Sequence, residues 1–157
     1  MIKQFKEAVA LEPDGIAIYG FPGDEAMRPI IKEAREKGIV ITTMNTPLPD
    51  LEAEYKTAGF GYAGADLFTA GYNLGKKAVE VCGAGFDLSA PIVDGINSGY
   101  IDVVIDQQPF IQGYIPIVQL FLSTKYGMAG LAMDTGAAFV TADNVEAIAP
   151  LAAVQIR

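Results

Sequence analysis

The sequence contains no histidine and a single cysteine, Cys82. One cysteine excludes an intrachain disulfide, and the lack of histidine excludes Cys/His zinc sites, Ser-His-Asp triads and Cys-His dyads. A metal site made of carboxylates alone would need clustered acids. We therefore expect no metal, no cofactor and no catalytic nucleophile.

Clusters of basic residues and long apolar runs are also missing. The net charge is −8 and no lysine- or arginine-rich run is present, whereas nucleic acids and anionic membranes both attract clustered cations. Neither a signal peptide nor an apolar run of about 18 residues is found. We expect a soluble chain that binds neither nucleic acid nor membrane. If it functions outside the cytoplasm, its export signal has been removed.

The residues that are present have an ordinary α/β composition. The 157 residues, 51% of them apolar, are enough for about one domain. Short apolar runs such as "IAIYG" and "IVITTMN" predict buried strands, and amphipathic segments such as "PGDEAMRPIIKEAREKG" predict helices between them. This alternation predicts a three-layer α/β/α sandwich with a mostly parallel five-stranded sheet, in a single domain over residues 1–157.

Polar side chains follow each of the five predicted strands. In such sheets, ligands bind beyond the carboxyl ends of the strands. These ends carry Tyr19, Asn45, Asp66, Asp87 and the segment Asp106-Gln107-Gln108. Carboxylates and amides without any cation suit a neutral, hydroxyl-rich ligand and suit phosphate poorly. The alternative is that each aspartate only caps the helix after its strand.

Two other patterns point to function less directly. The glycines of "GFGYAG" match a dinucleotide-binding spacing, but they lie within a predicted strand and not in a turn that opens a helix. Paired carboxylates such as Asp87 and Asp106 could perform acid–base chemistry in a small α/β enzyme. Because nothing in the sequence separates their pKa values, we expect no enzymatic activity.

Four blocks of the sequence resemble one family. "EPDGIAIYG", "GYAGADLFTAGYNLGKKAVE", "AGFDLS" and "IDQQPFIQGYIPIVQL" are similar to the type I periplasmic sugar-binding proteins, the ribose-binding-like receptors of ABC importers. The resemblance implies two α/β lobes joined by crossing strands. It further implies a small neutral sugar or sugar alcohol clamped between the lobes, an ABC permease as the partner of a full-length relative, and a periplasmic or extracellular location. A fragment expressed alone would stay in the cytoplasm.

The resemblance also suggests roles for individual residues. Asp66 resembles the first-lobe aspartate that binds sugar hydroxyls, and Asp87 resembles the aspartate that ends the "GFD" strand of the second lobe. The segment Asp106-Gln107-Gln108 resembles the hinge segment that contacts the ligand. Tyr19 and Asn45 fall at first-lobe strand ends. These residues form the predicted ligand-binding set.

The chain departs from the family pattern in its middle. Residues 1–82 resemble the first lobe, 84–108 resemble a strand–helix–strand from the end of the second lobe, and 109–157 resemble a helix and tail that return to the first lobe. Most of the second lobe is missing, and Cys82-Gly83-Ala84 looks like a junction. The expected fold is therefore a single flavodoxin-like lobe of the periplasmic-binding-protein fold.

This departure changes the expected function. A clamp needs both jaws to enclose a ligand, so sugar binding should be weak or absent. The chain could be an abbreviated relative, an engineered fragment or chimera, or an incomplete record, and it could serve as a scaffold without any ligand. Exposed strand edges and uncovered apolar faces predict a homodimer.

Overall fold

The computed structural model describes residues 1–80, 83–136 and 138–157. Strands and helices largely alternate along the chain, as the hydrophobic patterning predicts. The helices are α1 (Ile2–Ala10), α2 (Asp24–Glu36), α3 (Pro49–Tyr55), α4 (Leu67–Glu80), α5 (Ala90–Asn97), α6 (Pro109–Tyr126) and α7 (Val145–Ala153). The strands are β1 (Gly15–Tyr19), β2 (Val40–Met44), β3 (Gly61–Gly64), β4 (Ala84–Phe86), β5 (Val103–Asp106), β6 (Ala132–Asp134) and β7 (Ala138–Val140).

The strands form two sheets. One has the order β1-β2-β3-β6 and the other the order β4-β5-β7. The pairs β1–β2, β2–β3 and β4–β5 are parallel, and β7 is antiparallel to β5. The α/β class with mostly parallel strands is confirmed. The structure differs from one sheet of five strands because β6 occupies the edge of β3 that a further parallel strand would need, and β4 and β5 pair with β7 instead.

The chain divides into two compact units. Unit 1 comprises Met1–Gly64 and Gln112–Met133, and unit 2 comprises Ala65–Ile111 and Asp134–Arg157. These bounds differ from the predicted parts, because the chain leaves unit 1 before α4 and returns to it within α6. Cys82, at the predicted junction, lies outside the described residues. The prediction of one domain over residues 1–157 stays a prediction.

Unit 1 has apolar side chains packed on one face of its sheet and α6 on the other. Helix α2 buries a stripe with helical spacing: Met27, Ile30, Ile31 and Ala34. This stripe packs with residues of α1, α3 and the strands in one cluster. On the opposite face α6 comes close, since a Cβ atom built on Gly15 would lie 2.8 Å from the Leu120 side chain. Both faces of this sheet are therefore covered.

Unit 2 has a smaller core around β5. All four residues of β5 are buried: the apolar Val103, Val104 and Ile105, as expected for an interior strand, and the charged Asp106. Its buried apolar cluster comprises Ile96, Val104, Val140 and Val145, with partly buried neighbours. Helix α4 packs on β5, and α5 packs on α7. None of the helices in the described part of the chain has the length and apolar character needed to cross a bilayer.

Candidate functional site

Four of the predicted ligand-binding residues lie together in unit 2. Asp87 follows β4, and Asp106, Gln107 and Gln108 end β5, which runs parallel to β4. The N–H of Asp87 donates to the carbonyl of Ile105 at 2.7 Å, and the N–H of Gln107 donates to the Asp87 carboxylate. We call Asp87, Asp106, Gln107 and Gln108 the strand-end cluster.

Asp106 is the fully buried member of the cluster. Its Oδ1 atom accepts the N–H of Gln108 at 3.0 Å, and its Oδ2 atom accepts Nε of Arg157 at 2.7 Å. A buried carboxylate is strongly destabilising without such partners. Asp106 therefore anchors Arg157 to the end of β5, and both of its oxygens are engaged by the protein itself. A ligand contact by Asp106 stays a prediction.

Thr135 holds the two glutamines of the cluster. Its hydroxyl donates to the carbonyl of Gln107 at 2.8 Å, and its own carbonyl accepts Nε2 of Gln108 at 2.6 Å. Sequence reasoning missed both Thr135 and Arg157. No local pattern marks either of them, because each reaches β5 from a distant part of the chain.

The two carboxyl groups of the strand-end cluster, those of Asp87 and Asp106, differ in their exposure to solvent. Partial burial of its carboxyl group raises the pKa of Asp87 above its ordinary value, and the negative charge of Asp106 raises it further. The N–H of Gln107 opposes both effects. Asp87 is nevertheless an exposed residue. It is therefore the carboxylate of the cluster that solvent or a ligand can reach.

Asp66 lies at the end of β3 and caps α4. Its Oδ1 atom accepts the N–H of Thr69 at 3.1 Å, and its Oδ2 atom accepts the hydroxyl of Thr69 at 2.7 Å. These bonds lower the pKa of Asp66. The capping geometry that the sequence allows as the alternative is thus present. Sugar binding by Asp66 stays a prediction.

Tyr19 and Asn45 belong to unit 1. Tyr19 is the last residue of β1, and Asn45 comes directly after the neighbouring strand β2. Nδ2 of Asn45 donates to Oε1 of the buried Gln112 at 3.0 Å. Oδ1 of Asn45 accepts the Thr46 hydroxyl at 3.2 Å. The exposed ring of Tyr19 stacks on Phe21, with 5.5 Å between ring centroids. Sequence reasoning missed Gln112, although a glutamine on the inner face of a mainly apolar helix is a signal that could have found it.

Three of the predicted residues have left-handed backbones. The φ angles are 62° at Asn45, 60° at Asp87 and 57° at Gln108. This region is uncommon for residues other than glycine, and asparagine and aspartate adopt it more readily than glutamine. Such conformations persist only where surrounding contacts hold them, and they concentrate at binding sites. The left-handed residues therefore occur at the ends of β2, β4 and β5, where the sequence also predicts ligand-binding side chains.

A pocket of about 720 Å³ adjoins the strand-end cluster within unit 2. It is lined by Leu88, Ser89, Ala90, Val93, Asp94, Pro109, Phe110, Ala149, Ala152, Ala153, Gln155 and Arg157. Arg157 connects the two features, since it lines the pocket and binds Asp106. The walls are mainly apolar, with one aromatic ring and a few polar groups. Such a lining suits a small organic ring that carries hydroxyl groups.

Acidic side chains are the groups of this chain that could hold a metal ion. Within residues 1–80, 83–136 and 138–157, no group of three or more histidine, cysteine, aspartate or glutamate side chains is placed to hold an ion.

Comparisons with known proteins identify relatives of the first half of the chain. Residues 1–85 match the family described as periplasmic binding protein domain. A stretch of 68 residues, 42% of the chain, is 35% identical to the xylose/arabinose-binding protein XylF of Sulfolobus acidocaldarius. The match covers 17% of that protein, so the chain spans less than a fifth of its curated relative.

Solved structures with the same fold cover nearly the whole chain. A carbohydrate transporter from Acidothermus cellulolyticus 11B, in complex with myo-inositol, has a TM-score of 0.79 at 21% identity, covering 98% of this chain and 83% of that one. A sugar-binding protein of a Bacillus halodurans sugar ABC transporter has a TM-score of 0.71 at 16% identity, covering 93% and 84%. AraP, an arabinose-binding protein from Geobacillus stearothermophilus, has 0.64 at 14%, covering 91% and 81%. At these identities the likeness establishes the fold.

Proposed function

We propose that this chain, which belongs to the periplasmic binding protein domain family, binds a small neutral sugar or sugar alcohol and performs no chemistry on it. The observation that carries the proposal is the strand-end cluster, where Asp87, Gln107 and Gln108 meet at the carboxyl ends of parallel strands. Ligands of open α/β sheets bind at that edge. The relatives support a sugar, since one is named for xylose and arabinose and another was solved with myo-inositol.

The chemistry of unit 2 fits a ring with hydroxyl groups. The accessible Asp87 carboxylate can accept hydrogen bonds from sugar hydroxyls. In the adjoining pocket Phe110 offers an aromatic face, and Ser89, Asp94 and Arg157 offer polar groups. We propose that the sugar lies in this pocket, against the strand-end cluster.

The proposed binding is weak. The carboxylates of Asp66 and Asp106 already accept hydrogen bonds from Thr69, Gln108 and Arg157. Few charged acceptors are therefore left for a ligand, and hydrogen bonds to charged groups are the strong ones. A dissociation constant of about 1 mM, which corresponds to about −4 kcal/mol, is the expected scale.

The biological context is part of the same proposal. We propose a shortened form of an ABC-importer receptor, periplasmic or extracellular, which forms a homodimer and whose full-length relatives deliver sugar to a permease. The support is the family membership together with the sequence resemblance, in which most of a second lobe is missing between α4 and β4. The match covers 17% of XylF, so this chain corresponds to a small part of that protein.

Calorimetric titration tests the sugar proposal directly. The chain is titrated with xylose, arabinose, ribose, glucose and myo-inositol, and at least one should give weak, saturable heat at millimolar concentration. Micromolar or tighter binding would show that the weak-binding argument is wrong. The absence of heat with every sugar, together with an unchanged melting temperature in each of them, would reject the proposal.

Two variants with matched controls locate the site. Asp87→Asn removes the accessible acceptor and Phe110→Ala removes the ring, and each should weaken binding about tenfold. Asp143→Asn and Tyr100→Ala make the same changes at exposed residues of unit 2 that do not line the pocket, and they should leave the affinity unchanged. Equal effects of variants and controls would place the sugar elsewhere.

A ligand-free scaffold is the second candidate function. It is favoured by Asp66 and Asp106, whose carboxylates bind protein groups in the manner of purely structural residues. An enzyme that uses Asp87 and Asp106 as a carboxylate pair is disfavoured by the same bonds at Asp106. If the chain is a scaffold, Asp66→Asn, Asp87→Asn and Asp106→Asn should change the melting temperature but no sugar affinity. If it is an enzyme, it should hydrolyse a nitrophenyl glycoside.

A further inference from the structure

We infer that Arg157 is a positioning residue of the proposed sugar site, where it holds the accessible carboxylate of Asp87 in place through Asp106 and the turn that follows it. The inference deepens the proposed function and rests on it. In this role Arg157 acts through Asp87 and needs no contact with the sugar. Arg157, Asp106, the turn and Asp87 all belong to unit 2, so the connection lies within one compact unit.

Arg157 joins two elements of unit 2. Its backbone N–H donates to the carbonyl of Leu151 at 3.3 Å, which ties it to α7. Its Nε atom donates to Oδ2 of Asp106 at 2.7 Å, at the end of β5. The Asp106 side chain is fully buried, and that of Arg157 is 23% exposed. Because solvent screens such a pair little, Arg157 fixes the direction in which the Asp106 carboxylate points.

The other oxygen of Asp106 shapes the turn at residues 106–108. Oδ1 accepts the N–H of Gln108 at 3.0 Å, and Gln108 has a left-handed backbone with a φ angle of 57°. That conformation persists only where surrounding contacts hold it. The bond from Oδ1 is such a contact, because an aspartate that binds the N–H two residues further on closes a tight turn. Orientation of the carboxylate by Arg157 therefore fixes the main chain of the turn as well.

Thr135 makes two further contacts with the turn. Its hydroxyl donates to the carbonyl of Gln107 at 2.8 Å, and its carbonyl accepts Nε2 of Gln108 at 2.6 Å. Thr135 is 4% exposed, and buried hydrogen bonds are costly to break. The turn is therefore held from two places, and the ion pair with Arg157 governs one of them.

Gln107 connects the turn to Asp87. The N–H of Gln107 donates to the Asp87 carboxylate, and the N–H of Asp87 donates to the carbonyl of Ile105 at 2.7 Å. Asp87 is nevertheless exposed. An exposed side chain that a ligand must first order loses part of the binding free energy. The bond from Gln107 orders the carboxylate beforehand, so a displaced turn should weaken sugar binding.

The same network borders the pocket of unit 2. Leu88, which follows Asp87, lines the pocket. Pro109, which follows Gln108, lines it as well, and so does Arg157. A direct contact between Arg157 and the sugar is therefore the alternative explanation for any effect of Arg157 on binding, and the experiment has to separate the two.

A double-mutant cycle separates positioning from direct contact. The full chain is titrated with xylose and with myo-inositol, and binding is followed by NMR. Asp87→Asn and Arg157→Gln should each weaken binding about tenfold. The double variant should bind no more weakly than Asp87→Asn alone, because Arg157 acts through Asp87. Independent losses would multiply to about 100-fold, and that result would make Arg157 a direct ligand contact and overturn the inference.

The backbone amide proton of Gln107 gives a readout without any sugar. A hydrogen bond to a carboxylate moves this resonance downfield, so Arg157→Gln should move it upfield in the free protein. Arg157→Lys keeps a positive charge and should restore most of the shift and of the affinity. Lys76→Gln removes another positive charge of unit 2, at an exposed residue that does not line the pocket, and should change neither.

The two readouts distinguish this inference from the proposed function. If xylose or myo-inositol binds but the Gln107 amide is unmoved in Arg157→Gln, the positioning role is wrong and the sugar proposal stands. If Arg157→Lys behaves like Arg157→Gln, or Lys76→Gln has the same effect, the positioning role is also wrong. If no sugar binds while the amide moves as expected, the sugar proposal fails and the network around Asp87 is as described.

A second pair of substitutions serves if Arg157→Gln unfolds unit 2. Asp106→Leu together with Arg157→Met replaces the buried ion pair with apolar groups, an exchange that folded proteins often tolerate. The acceptor of the Gln108 N–H is lost all the same. This variant should therefore show the upfield Gln107 amide and binding weakened about tenfold. Wild-type values of both in the folded variant would reject the inference.

Discussion

The two units of the molecule are held together differently. Unit 1 has a core cluster of twelve buried residues from three helices and its strands. Among the described residues, the cluster of unit 2 comprises Ile96, Val104, Val140 and Val145, around β5. Buried apolar area is the main favourable term in folding. We therefore expect unit 1 to be the more stable unit, and unit 2 to rely more on individual polar contacts.

The ion pairs show the same contrast. In unit 1, Lys37 pairs with Glu12 at 3.1 Å, and both side chains are at least one-third exposed. In unit 2, Arg157 pairs with the fully buried Asp106. Exposed pairs contribute little, whereas a buried charge that loses its partner is strongly destabilising. Most of the predicted ligand-binding residues thus lie in the unit whose structure depends on a few polar bonds.

The largest expected effect comes from matched core truncations. Ile41 in β2 and Ile105 in β5 are both fully buried in central strands. Ile41→Ala should lower the free energy of unfolding of unit 1 by about 4 kcal/mol, and Ile105→Ala should lower that of unit 2 by about 3 kcal/mol, because a dense core collapses less around a cavity. Hydrogen exchange followed by mass spectrometry resolves the two units. A larger loss for Ile105→Ala would reverse the comparison.

Breaking the buried ion pair should have the next largest effect. Arg157→Gln leaves the Asp106 carboxylate without a countercharge and should destabilise unit 2 by about 3 kcal/mol. Lys37→Gln removes the exposed pair of unit 1 and should change its stability by less than about 1 kcal/mol. Urea unfolding with peptide-resolved hydrogen exchange measures both. If the two substitutions have equal effects, the pair at Asp106 is not what stabilises the end of β5.

The helices and strands could be predicted from the sequence, but which strands share a sheet could not. Apolar runs such as Val103–Asp106 and the α2 stripe predict elements directly, since burial is periodic along a strand or helix. The placement of β4 and β5 in a second sheet with β7 had no such signal. It depends on β6, a three-residue strand with exposed side chains, which no hydrophobic pattern marks.

The candidate site divides in the same way. Asp87, Gln107 and Gln108 could be predicted because they follow strands, and parallel strands bring their carboxyl ends to one edge. Arg157 and Thr135 could not, because their bonds to β5 join residues far apart in sequence. For the same reason the sequence could not show that both carboxylate oxygens of Asp106 accept hydrogen bonds from the protein. Local chemistry indicates which groups lie at an edge, and distant partners decide which of them remain available.

A smaller effect is expected at the cap of α4. Asp66→Ala removes the bonds to Thr69 and should destabilise α4 at pH 7. Because these bonds lower the pKa of Asp66, the stabilisation is present above the unfolded pKa of about 3.9 and is lost as the pH falls through the folded value. Exchange of the α4 amides at pH 7 and pH 3 measures this, with Asp143→Asn as the control. An equal loss at both pH values would contradict it.

The smallest expected effect is at Asp87, whose contribution to stability changes with pH in the opposite direction to that of Asp66. Its pKa is raised mainly by partial burial, so folding favours the protonated carboxyl group. Its contribution to stability is therefore fully present below the unfolded pKa of about 3.9 and is lost as the pH rises through the folded value. Asp87→Asn, which also tolerates the left-handed backbone, should stabilise unit 2 at pH 7 by less than about 1 kcal/mol after solvent screening. It should change nothing at pH 3.

Two aspartates in unit 2 would then respond to pH in opposite directions. Asp66 would act as a helix cap, and Asp87 would be a group that stays accessible at a cost in stability. Destabilisation by Asp87→Asn at pH 7 would show that Asp87 is structural, as Asp66 is.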